Sequence, residues 1–84
     1  EDVIFKVQIA ASKRKLDTKP QNFKGLSAVS RDQESGLYKY YYGSTSDYIQ
    51  IKNLQQEARQ KGYASAFVVA FKKGKKVNLA DIIN

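Results

Sequence analysis

Residues 36–43 read GLYKYYYG, and this stretch decides the fold: Tyr38, Tyr40, Tyr41 and Tyr42 crowd between two glycines. Aromatic side chains pack well on a half-buried pleated surface and lose freedom against a helical turn, so the segment is expected to be a central strand. Strand side chains alternate, which sends Tyr38, Tyr40 and Tyr42 to one face and Leu37, Lys39 and Tyr41 to the other. One face is then buried and the other is available to a partner.

Just upstream, residues 28–34 (AVSRDQE) are polar enough for an edge strand, and Ser35-Gly36 suits a hairpin turn. Downstream, a helix is expected over residues 47–61. Ser46 or Asp47 serves as N-cap, Ile51, Leu54 and Ala58 form an apolar stripe, Glu57 can pair with Lys61, and Gly62 supplies the stop. Gln50, Gln55, Gln56, Arg59 and Gln60 then fall mainly on the wet side. Residues 65–72 follow as a strand whose core, residues 66–71, is continuously apolar. Periodicity leaves open whether Phe67, Val69 and Phe71 or Ala66, Val68 and Ala70 meet the helix. Lys73-Gly74 is a turn, after which Val77 and Leu79 can return as a short added strand before residues 80–83 close the chain. Edge protection explains the lysines at 72, 73, 75 and 76 without any ligand.

The first strand is expected over residues 3–11, with Phe5, Val7 and Ile9 on one face and Lys6, Gln8 and Ala10 on the other. Between it and the hairpin lies SKRKLDTKPQNFKGL (residues 12–26), where Pro20 and Gly25 argue against a long helix. Leu16, Phe23 and Leu26 are the side chains expected to pin this basic loop to the core. A loop of this length is usually functional or mobile. The whole gives an α+β class: a four-stranded antiparallel sheet with helical material on one face, in the order βαββαβ. That is RNP-like or ferredoxin-like, with the first helix reduced to an irregular basic segment.

The 84 residues make one domain, residues 1–84, in which about 60 to 65% of the unfolded surface is buried. A start at Glu1 rather than Met suggests a segment excised from a longer protein. Without cysteine or histidine there is neither a disulfide nor a thiolate metal site, and the commonest general base and metal ligand are missing. No cofactor is implied. Asp32, Glu34 and Asp47 have no visible partner for catalysis, so an enzyme is the weakest reading. The net charge of +7 points to an anionic partner or to a solubilising lysine coat. No apolar run reaches the ~20 residues needed to span a bilayer.

The βαββαβ order is also that of RNA-recognition domains, and Lys61, Gly62, Tyr63 and Ala64 begin like their aromatic motif, with Phe67, Val68 and Phe71 continuing it. Ser65 and Ala66 break the register. A basic sheet with exposed rings could nevertheless stack the bases of single-stranded nucleic acid, which is the alternative function.

FKVQIAAS, then LYKYYYGSTSD, then a helix of the form I..L...A...GY followed by SAFVV, resembles a SPOR domain, a peptidoglycan-binding module. Within that family it looks most like the C-terminal domains of N-acetylmuramoyl-L-alanine amidases from Bacteroidetes-type bacteria. Ala10-Ala11 replaces the family's Gly-Ser, Ser44 replaces its proline, and the basic loop replaces its first helix. The resemblance implies a non-catalytic module for glycan strands lacking stem peptides. It would place an attached amidase catalytic domain or a cell-division protein, in the periplasm or cell envelope. It implies glycan contacts at Gln8, Ser12, Leu37, Lys39 and Tyr41, with Lys6, Ala11, Lys13 and Arg14 as accessory positions. Their purely structural roles are a solvent-facing amide for Gln8, cross-strand packing for Tyr41 and a solvated charge for Lys39.

Overall fold

The tyrosine stretch is a strand inside an antiparallel sheet, as its composition dictates. The computed structural model describes residues 3–83; the expectation drawn from Glu1 lies outside them. In chain order the elements are β1 (Val3–Ser12), a single 3-10 turn (Pro20–Asn22), β2 (Val29–Glu34), β3 (Leu37–Thr45), α1 (Tyr48–Gln60), β4 (Phe67–Lys72), β5 (Lys75–Val77) and α2 (Leu79–Ile83). The sheet order is β2-β3-β1-β4-β5, every neighbour antiparallel.

Two tight turns set this order. Ser35 and Gly36, with φ of 54° and 80°, join β2 to β3. Lys73 and Gly74, with φ of 53° and 81°, join β4 to β5. Both are two-residue loops with positive φ at both positions, the geometry whose twist matches that of paired strands. The second turn corrects the expected strand count, because it folds the lysine-rich stretch back as a fifth strand. Val77 belongs to that strand, but Leu79 does not. The Asn78 Oδ1 accepts from the Ala80 amide at 3.0 Å and so starts α2 there.

The core lies between the sheet and α1. Phe5 and Val7 of β1, Tyr40 of β3, Val68 and Ala70 of β4, Ile51 and Ala58 of α1, and Phe23 and Leu26 of the basic loop are buried together. This settles the open choice on β4: Ala66, Val68 and Ala70 meet the helix. Asp47 caps α1, its Oδ1 accepting from the Ile49 and Gln50 amides at 2.9 and 3.3 Å. Glu57 accepts from the Tyr42 hydroxyl at 2.7 Å, tying the helix to β3.

Gln55 departs from the wet side expected for it. It is buried, and its Nε2 donates to the Ala66 carbonyl at 3.0 Å. Arg59 donates to the same oxygen from Nε and a terminal nitrogen, at 3.2 and 3.0 Å. A carbonyl at the entrance to β4 is thereby satisfied from the helix. The basic loop is also anchored. The Tyr40 hydroxyl accepts from the Leu16 amide at 2.8 Å and donates to the Arg14 carbonyl at 3.1 Å, while Arg31 donates to the Leu16 carbonyl at 2.6 Å.

Two irregularities steer β1. Between Phe5 and Val7 the partner on β3 moves from Thr45 to Tyr42, so β3 carries the extra residue near Gly43. Gly43 has φ of 79°, and a Cβ there would lie 2.6 Å from Leu54 Cδ1. Between Gln8 and Ala10 the extra residue is on β1, and every β1 side chain beyond it changes face. Ala10 consequently packs against the core and Ala11 takes the outward position expected for Ala10.

Candidate functional site

Residues opposite one another on adjacent strands share a face, so the register defines the side of the sheet away from α1. Its rows are Asp32 with Lys39 and Ala11, Ser30 with Tyr41, Gln8 and Phe67, and Lys6 with Val69. Phe71 and Lys76, paired on β4 and β5, complete it.

This face is curled. Glu34 of β2 accepts from Lys39 Nζ at 2.8 Å and from Lys76 Nζ of β5 at 3.4 Å. In a flat sheet β2 and β5 would be four spacings apart, about 19 Å, which a lysine and a glutamate together cannot span. The two edge strands therefore bend toward each other over a concave surface. The pair is mutually reinforcing: the Lys39 hydrogen bond, then the Lys76 charge, holds the Glu34 carboxyl below its ordinary value, and the Glu34 hydrogen bond raises Lys39.

Tyr41 lies at the bottom of the curl and is only 1% exposed. Its ring meets Phe71 edge-on at 5.6 Å between centroids, and Lys6 Nζ stands 5.6 Å from the Tyr41 ring and 5.2 Å from the Phe71 ring. Burial pushes the Tyr41 phenol up, outweighing the nearby Lys39 charge. Cross-strand packing is thus the role the fold gives Tyr41, although it sits on the side away from the helix as expected.

Gln8 is half-buried beside Tyr41, and its Oε1 is buried with no protein donor. On its other side it faces Phe67, which at 47% is strongly exposed for a phenylalanine. The ladder between β1 and β4 stops at this rung. Beside it is a groove of about 250 Å³, lined by Gln8 and Ala11 of β1, Phe67 of β4 and Tyr63, Ala64 and Ser65 of the connection that leads into β4. A second cleft of about 470 Å³, lined by Lys6, Asp32, Ser44, Phe71 and Lys73, lies at the other end of the face. A third and larger cleft, about 590 Å³, is formed by α2, Val3, Phe5 and Tyr48 and contains none of the expected site residues.

The fold brings Gln8, Lys39, Tyr41, Lys6 and Ala11 together, with Leu37 half-buried at the start of β3 opposite Glu34. It separates Ser12, which the bulge turns to the rung of Tyr38 and whose Oγ accepts from the Arg14 amide at 3.0 Å. Lys13 and Arg14 are exposed beyond the strand end. Sequence reasoning missed Phe67, Phe71, Glu34 and Lys76. The continuous apolar run hid the facing of the two rings, and no local pattern announces a contact between residues 34 and 76.

Among the described residues no three acidic side chains gather as a metal site, and no helix is long and apolar enough to cross a membrane. The chain matches no family model, no curated protein and no solved structure.

Proposed function

We propose that this domain is a non-catalytic binding module for peptidoglycan glycan strands lacking stem peptides. It positions an attached cell-wall amidase or division protein on them, in the periplasm or cell envelope. The fold reading that accompanies this is RNP-like, with β1 to β4 as its sheet and β5 added at the edge. The observation that carries the proposal is the rung of Gln8 and Phe67: a buried carboxamide oxygen with no protein donor beside an exposed ring, at the head of a shallow groove. A sugar offers both halves of the match, a hydroxyl to donate to Oε1 and a C–H face to lie on the ring.

Charge favours this ligand over single-stranded nucleic acid. A stripped glycan carries one lactyl carboxylate on every second sugar, whereas a nucleic acid carries a phosphate on every nucleotide. The face mixes Lys6, Lys39 and Lys76 with Asp32 and Glu34, which suits sparse anions. Stacking several bases also requires a row of open rings, and Tyr41 is closed.

The test is co-sedimentation of the domain with sacculi before and after amidase digestion. Digested sacculi are expected to pellet the wild type and intact sacculi to leave it in solution. Phe67→Ala should weaken the interaction about two- to tenfold, the worth of one aromatic contact. Gln8→Glu should abolish it. If both variants pellet like the wild type, the site is elsewhere; if single-stranded DNA competes and stripped glycan does not, the ligand is nucleic acid.

A further inference from the structure

We propose that Glu34 is a built-in occupant of a carboxylate site formed by Lys39 and Lys76, and that a carboxylate-bearing glycan binds by displacing it. The proposal rests on the reading above for the identity of the glycan, and adds where its anionic group goes and what guards the place. Lys39 Nζ and Lys76 Nζ approach a single oxygen, Glu34 Oε1, at 2.8 and 3.4 Å. They come from strands on either side of the curl. The glutamate side chain is about half exposed, so solvent and solutes reach it.

A ligand carboxylate offers the two ammonium groups the same charge and the same acceptor geometry that Glu34 does. Exchange of one for the other therefore leaves both lysines paired and releases β2 from β5. Tyr41 lies on the same face at the bottom of the curl, with Phe71 and Lys6 against its ring, and its phenol feels the charges of Lys39, Asp32 and Glu34. Displacement of Glu34 thus removes the tie that holds the two edge strands curled over that ring. A neutral sugar lacks the group that competes and leaves the bridge in place.

Glu34→Gln tests this, since it keeps size and removes charge at an exposed position. Asp17→Asn is the control for a bare change in net charge. The ligands are stripped glycan, an oligogalacturonate that carries a carboxylate on each sugar, and a neutral chito-oligosaccharide. Glu34→Gln should bind the two acidic sugars about two- to fivefold more tightly than wild type, the scale of one exposed ion pair removed as competitor. Asp17→Asn should gain less, and the neutral sugar should show no gain. Nitration at Tyr41, mapped by mass spectrometry without ligand, should be faster in Glu34→Gln.

A gain for oligogalacturonate without any binding of stripped glycan keeps the carboxylate site and removes the peptidoglycan reading. No gain for either acidic sugar, an equal gain in Asp17→Asn, or an unchanged nitration rate at Tyr41 overturns the proposal.

Discussion

Lys76, on the last strand of the sheet, donates to Glu34, on the strand at the opposite edge, across 3.4 Å. That contact has a defined pH window. Glu34 is held below the ordinary glutamate value, chiefly by the Lys39 hydrogen bond, so its stabilising contribution is fully present above the unfolded value of about 4.3. The contribution is lost as pH falls through the lower folded-state value. Lys39 is raised, chiefly by Glu34, so its share persists up to the unfolded lysine value near 10.4 and disappears as pH rises through the folded one. Carboxyl carbon shifts of Glu34 and ring shifts of Tyr41, followed together by NMR, should change in the same acid step. Tyr41 signals that ignore the Glu34 titration would show that the bridge does not shape the face.

Gly43 carries both a left-handed backbone and a close approach to α1. Gly43→Ala is expected to destabilise the domain by about 1 to 3 kcal/mol, mostly from φ, because Leu54 can swing its methyl away while the backbone cannot change sign. Urea denaturation gives the number. An unchanged midpoint would mean that residue 43 does not hold the left-handed backbone on which the bulge in β3 depends.

Tyr40→Phe keeps the ring, which packs 5.0 Å from Phe23, and removes the hydroxyl shared between the Leu16 amide and the Arg14 carbonyl. The expected cost is about 1 to 3 kcal/mol, since two partly buried backbone groups lose their partner. Amide exchange at Leu16 should accelerate while exchange in α1 stays slow. The basic loop of residues 13–26 is therefore ordered by a residue of the tyrosine strand, and its length signals an anchored connection.

How much of this could be read from the chain follows from the range of each interaction. Alternation along residues 36–43, the Asp47 cap and the stripe of Ile51, Leu54 and Ala58 are local, and all three stand in the structure. Phe23 and Leu26 were legible as anchors because they are the large apolar groups of an otherwise polar loop. Gln55 was not, since its burial depends on the Ala66 carbonyl eleven residues away. The candidate site divides in the same manner. The shared side of Gln8, Lys39 and Tyr41 follows from strand parity, but the closure of Tyr41 follows from curvature. Curvature is set by bulges and edge contacts, which no alternating pattern encodes.

The bulge after Gln8 makes the sharpest test of face assignment. Strict alternation puts Ala10 beside Gln8 on the outer surface, whereas the observed register puts Ala10 against the core and Ala11 outside, opposite Lys39. Ala10→Asp should then cost about 2 to 4 kcal/mol, the penalty for forcing a charge toward apolar neighbours without a partner. Ala11→Asp should stay within about 0.5 kcal/mol, because its carboxylate meets solvent and the Lys39 ammonium. Urea midpoints of the two variants decide between the registers. Were Ala11→Asp the more damaging, β1 would run without the extra residue, Ser12 would return to the outer surface, and the groove beside Phe67 would lose the strand edge that forms it.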